Sequence, residues 1–328
     1  MDRSSDHDGG TGKKRRLQYR LTTDLEAGIA FGALNCSATG AGGASGTSFK
    51  DNGAQKLTNV HVLLIFWGQQ WAGNPNALAT QVTANVTNLL AGPYMSYLVQ
   101  YGVHRGSLWG TKFFTGGDPP NPFTTQSVGN FLINQLDNDN LPEPDSDWPI
   151  FYCVIMPTNV SFQGLKPPDP VLPLPPGTLS QVVGANSSIV WYDYDLGDVD
   201  NDPAHFAWIG NNGSANYITT VLSHELVETC TDPNGGNGIV QVSPPPQGNA
   251  AQIGDPCTQW CDFVRGVRVQ AYWSQLDSVQ PGLQSRGGCV LPKLYSLRRT
   301  LADRNISGRI SSLGKPIPSL NRVITSLF

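Results

Sequence analysis

Val60-His61-Val62-Leu63-Leu64-Ile65-Phe66-Trp67 is the stretch on which the fold turns. It is short, strongly apolar and closed by Gly68, so it reads as a buried strand. Downstream, Asn74-Pro75 opens a helix with Pro in its first turn. On it Leu78, Val82, Val86, Leu89 and Leu90 follow at helical spacing until Gly92-Pro93 stops it. A second strand falls between Gly102 and Phe114, and a second helix over about 125–136 puts Val128, Phe131, Leu132 and Leu136 on one face. Three further strands are read at 149–156, 188–192 and 206–209, the first two separated by a Pro-rich loop at 166–176. A helix over about 215–230 carries Ile218, Val221, Leu222 and Leu226. Gly- and Pro-rich loops, a Cys-containing segment and a strand-like run at 268–273 complete the pattern. Because the early strands alternate with helices, the expected fold class is α/β: a mixed, mainly parallel sheet with packed helices and a loop-rich C-terminal part.

The 328 residues divide into three expected parts. Residues 1–55 are polar and then Gly/Ala/Ser-rich, too poor in apolar surface to fold alone, and are expected to be disordered. Residues 56–292 form the folded domain, and 293–328 a polar, basic tail. Charged residues are only 14% and the net charge is -4, which argues against a coiled coil and against a nucleic-acid partner. The basic run Lys13-Lys14-Arg15-Arg16 is short and reads as part of a solvated tail. No stretch approaches the roughly 18 apolar residues of a membrane span, and no apolar signal-peptide core follows the basic run. Six cysteines and six Asn-x-Ser/Thr sites, Asn186 among them, pull toward an extracellular location.

The chemistry concentrates in Ser223-His224-Glu225-Leu226-Val227-Glu228. His224 and Glu228 lie four residues apart on a helix, hence one turn apart on one face. That is the spacing at which a helix offers two ligands to one metal ion, zinc first among them, and Glu225 stands where the related His-Glu-x-x-His pattern carries its general base. A third ligand is needed. Asp255, arriving on the separate segment Gln252-Ile253-Gly254-Asp255-Pro256-Cys257, is preferred to Asp232, which Pro233 turns away and which can bond its own backbone instead. The competing reading is a plain surface pair of His224 with Glu228. His61 reads as a satisfied strand residue, and His7, His104 and His205 are isolated. Cys257 and Cys261 lack a second pair at zinc-ribbon distance, so disulfides are the alternative, for instance Cys257 with Cys261 or Cys289, with the pairing open, and Cys153 and Cys230 are expected to be buried. Trp67, Trp71, Trp109, Trp191, Tyr192 and Trp273 could face a glycan, although core packing is the reading preferred.

Several of these segments, in order over residues 58–291, resemble the phosphate-induced protein 1 family, also called EXORDIUM-like. The helix run Val221-Leu222-Ser223-His224-Glu225-Leu226-Val227-Glu228 through Thr231-Asp232-Pro233 is similar to its HELAE and TDP/TNP segment. Ile253-Gly254-Asp255-Pro256-Cys257 is similar to its EI(A/G)DLC, with Gln252 in place of Glu, and Val269-Gln270-Ala271-Tyr272-Trp273-Ser274 to its VQWIWS strand. Phe206-Ala207-Trp208-Ile209-Gly210-Asn211 is similar to its YIWVGN, and Cys289 to its last Cys. The resemblance implies an extracellular or cell-wall protein. The same helix also resembles that of zincin metallopeptidases, which implies a zincin-like sheet over an active-site helix. Glu228 stands where those enzymes carry a second His, which makes the site more anionic and opens it to other divalent metals. The expectation is a zinc-dependent, metallopeptidase-like hydrolase acting as a monomer on a peptide or protein substrate. The alternative is a non-catalytic EXORDIUM-like protein that binds a cell-wall, glycan or signalling partner on the same scaffold.

Overall fold

Apolar residues on both faces of the strand at 60–67 demand cover on both sides, and the computed structural model supplies it. The structure describes residues 18–21, 47–163 apart from 74 and 146, 184–193, 198–199, 203–243, 252–275 apart from 259, and 288–292. In chain order the elements are β1 (Gln18–Leu21), β2 (Ser48–Asp51), β3 (Asn59–Trp67), α1 (Ala77–Leu90), α2 (Pro93–Ser96), β4 (Arg105–Phe114), α3 (Thr125–Asp137), β5 (Ile150–Ile155), β6 (Gly184–Asp193), β7 (Asp198–Val199), β8 (Ala204–Ile209), α4 (Ala215–Thr231), β9 (Ile239–Ser243), β10 (Cys261–Val264), β11 (Val267–Gln270), β12 (Tyr272–Trp273) and β13 (Cys289–Val290).

The main sheet runs β1-β6-β8-β5-β3-β4, with β7 attached to β6. Strands β4, β3, β5 and β8 are parallel, while β6 is antiparallel to β8 and β1 antiparallel to β6. The fold class is therefore mixed α/β with a mainly parallel sheet. Val60, Val62, Leu64 and Phe66 point to the face covered by α1 and α4. Leu63, Ile65 and Trp67 point to the other face, where Val128, Leu132 and Leu136 of α3 meet them. Helix α4 packs on β5, β6 and β8 and is also held against α1 and β11.

Local chemistry explains most element ends. The first helix begins later than Pro75 suggests: Asn76 is its N-cap, its side chain accepting from Ala79 N, and Pro75 lies ahead of it. Thr124 and Ser127 form a reciprocal capping box at the start of α3. The run expected at 268–273 is two strands broken at Ala271, because Ala271 N turns to Trp260 O (2.8 Å) and Trp273 N to Ile253 O (2.7 Å). Two strands lie within the segment expected to lack structure. β1 pairs with β6 at Leu21↔Ile189, and β2 pairs with β9 at Asp51↔Ile239. Their partners supply the backbone bonds that their own composition does not announce. The Pro-rich loop at 166–176 and the tail at 293–328 lie outside the described residues. No helix among the described residues is long and apolar enough to cross a membrane.

Candidate metal centre

Helix α4 is buried over its whole length from Ile218 to Thr231. A helix covered all round is normally apolar, yet this one carries Thr, Ser, His and Glu, each of which needs a partner once desolvated. Thr219 donates to Arg268 O (2.9 Å), and Ser223 donates to Thr220 O (2.7 Å) while accepting from Gln270 N (3.0 Å). The buried Tyr94 hydroxyl lies 2.8 Å from Gln270 O and 3.1 Å from Ser223 O. Helix α4 and strand β11 are thus fastened together one residue ahead of His224.

His224 and Glu228 meet as the helical spacing predicts, with Nε2 3.1 Å from Oε1. The pair is not on the surface: its side chains are 1% and 3% exposed. Asp255 comes in from the separate segment, its Oδ1 3.8 Å from His224 Nε2. Its other oxygen, Oδ2, is held by Gln252 N at 2.7 Å. One ligand atom from each of His224, Glu228 and Asp255 lies within 4.8 Å of the others. Glu228 Oε1 and Asp255 Oδ1 are buried and face the His224 ring and each other rather than any other donor. Two such oxygens beside an imidazole nitrogen are costly unless a cation or a shared proton joins them. The three residues are therefore a buried group that could hold a metal ion.

A glycine lets the two segments approach. A Cβ at Gly254 would stand 2.5 Å from His224 Nδ1 and 2.7 Å from Glu228 Oε1. Asn186, on β6, donates to Glu228 Oε2 and to Gln252 Oε1, each at 3.3 Å. It is buried, so this Asn-x-Ser site serves the interior. Glu225 faces the same strand, where a Cβ at Gly184 would stand 2.8 Å from its Oε1. Burial pushes the carboxyls of Glu225 and Glu228 up to about 8; His224 opposes the rise at Glu225, and bonds from Asn186 oppose it at both. Burial and the neighbouring Glu228 also push Asp255 well above its usual range.

Asp232 is spoken for. Its oxygens accept from Gly236 N (2.7 Å), Gly238 N (2.7 Å) and Asn237 N (3.2 Å), shaping the helix exit. The other described histidines stand apart from the group. His61 Nδ1 lies 2.7 Å from Ser107 Oγ, His205 Nδ1 lies 3.1 Å from Pro233 O, and His104 is exposed. Cys257 pairs with Cys289, Cys261 is also disulfide-bonded, and Cys153 and Cys230 are buried free thiols. Trp67, Trp71 and Trp273 are buried in the core, whereas Trp109 is 48% exposed; the side chains of Trp191 and Tyr192 lie outside the described residues.

Sequence reasoning did not find Gln270, Tyr94 or Asn186 as parts of the site. Asn186 was visible only as an Asn-x-Ser triplet, Gln270 only as a member of the strand run at 269–274, and no local pattern marks Tyr94. Gly254 and Gln252 were at hand, as the residues flanking Ile253 beside Asp255. Compared with known proteins, the chain matches no family model and no curated protein. The chemistry of the site is thus read from its own geometry.

Proposed function

We propose that the chain is a metal-dependent, metallopeptidase-like hydrolase in which His224, Glu228 and Asp255 hold one zinc ion and Glu225 is the general base. The observation that carries this reading is the convergence of His224 Nε2 with two buried carboxylate oxygens, Glu228 Oε1 and Asp255 Oδ1. A bound zinc ion would supply Lewis acidity toward a peptide carbonyl and toward the attacking water. Two carboxylates and a neutral imidazole balance a dication, which also suits other divalent metals. Glu225 adjoins His224 on α4, and its carboxylate takes a proton from the attacking water and returns it to the leaving nitrogen. Asn186 steadies Glu228 from β6, and Gln252 holds the second oxygen of Asp255.

The ordered segments that resemble the phosphate-induced protein 1 family support membership of it, and the Cys257–Cys289 disulfide supports an extracellular or cell-wall location. The peptide substrate is carried over from the resemblance of the helix to zincin metallopeptidases.

A second reading is favoured by burial. His224, Glu225 and Glu228 are only 1%, 2% and 2% exposed, as suits an ion that ties α4 to the 252–257 segment of a non-catalytic binding protein. Elemental mass spectrometry and a chelator-controlled peptide-cleavage screen separate the two. The hydrolase should hold about one zinc per chain and lose it in His224→Ala. Glu225→Gln should keep the metal and lose cleavage by roughly 100-fold or more. Zinc without cleavage would leave the binding protein. No zinc in the wild type, with zinc supplied, would sink both.

A further inference from the structure

Gln270 closes β11 and is fully buried. Its backbone is pinned by Ser223 and Tyr94, so its side chain has a fixed origin. From there it reaches back to the metal group: Nε2 lies 2.7 Å from His224 Nδ1 and 3.0 Å from Gly254 O. Its Oε1 is buried and accepts nothing. An amide nitrogen donates and cannot accept. In this arrangement Nδ1 is therefore the acceptor, and the imidazole proton sits on Nε2, facing Glu228 Oε1 at 3.1 Å. A ring in that tautomer has no lone pair for a cation on its Nε2 side. A ligating histidine needs a bare Nε2 and donates from Nδ1 to an acceptor.

The acceptor already in place is the other end of the same amide. Turning it over would bring Oε1 to Nδ1–H and give a partner to an oxygen that has none. What opposes the turn is the loss of the Gln270 donor at two carbonyls, Ala271 O at 3.4 Å and Gly254 O, the latter keeping Cys257 N at 3.0 Å. We infer that Gln270 is the positioning residue that sets the tautomer of His224, and that its amide turns over when a metal ion enters. The change of tautomer moves one proton: it leaves Nε2 and one is taken up at Nδ1. This inference rests on the metal-centre reading. It adds a coupling, because one bond given up belongs to the residue preceding Asp255, so occupancy at the ion is felt in the 252–257 segment.

The test uses the full chain with 15N-labelled histidine and zinc as the probe. Two-bond ring correlations report the tautomer, with His224 assigned by its loss in His224→Ala. Metal-free wild type should show Nε2–H, and zinc-loaded protein Nδ1–H. Gln270→Glu offers only acceptors once ionised, so at a pH that ionises it the ring should show Nδ1–H even without zinc, and zinc binding should be at least as tight as in wild type. Gln270→Met removes the partner and should weaken zinc binding in a chelator competition by about 10- to 100-fold. Wild type showing Nδ1–H with and without zinc would overturn the inference. So would zinc binding by Gln270→Met equal to that of wild type. If Gln270→Met does not fold, the wild-type and Gln270→Glu spectra decide. A wild type that binds no zinc at all would overturn the metal-centre reading itself, and this inference with it.

Discussion

Gly254 shows how an absent side chain can shape a site. The backbone there lies against His224 and Glu228 so closely that any Cβ would collide with both. In Gly254→Ala the 252–257 segment must move away from α4, carrying Asp255 with it. Zinc affinity should then fall by about 10- to 100-fold, while urea unfolding shows a loss of only about 1–3 kcal/mol. Unchanged zinc affinity would mean that Asp255 is not held as a ligand. At this scale the sequence was informative where helix geometry alone fixes distance: His224 and Glu228 must share a face at a spacing of four. It was silent on Gln270, because that residue reaches His224 from 46 positions away and only the packing of β11 on α4 joins them.

Helix α4 is the element that makes a buried polar group tolerable. Ser223 joins it to β11 by accepting from Gln270 N, a fully buried backbone donor. Ser223→Ala would leave that N–H unpaired, at a cost of about 1–3 kcal/mol in urea denaturation. A loss within experimental error would mean that another acceptor takes over. The long elements were readable because their side chains carry the signal. The run at 60–67 needs two covered faces, and α4 was expected at about 215–230 against the observed Ala215–Thr231. The short strands were not readable. β1 and β2 exist through backbone pairing to β6 and β9, and such pairing leaves little trace in composition. The break at Ala271 likewise depends on distant carbonyls, those of Trp260 and Ile253.

For the molecule as a whole, the sheet creates a pH dependence of its own. His205 lies in β8 beneath cover, and burial lowers it from 6.5 to about 4. The folded chain then holds a neutral imidazole where the unfolded chain binds a proton. This contribution is complete above pH 6.5 and is lost as pH falls toward 4. The stability difference between wild type and His205→Asn should shrink across that window by about 3 kcal/mol. Denaturant titrations of both proteins at several pH values measure it, and a difference that stays flat would show His205 to be unperturbed. By itself the sequence determined the class of the fold, the length and face of α4, and the pairing of His224 with Glu228 in the candidate centre, because hydrophobic periodicity and helical spacing are local and repeat along the chain. The tertiary structure alone decided that the pair is buried, that Asp255 completes it, that Asp232 is consumed by its own turn, and that Cys257 joins Cys289. Each of these depends on which distant segments the core brings into contact, and that is set by the summed burial of many side chains rather than by any one stretch.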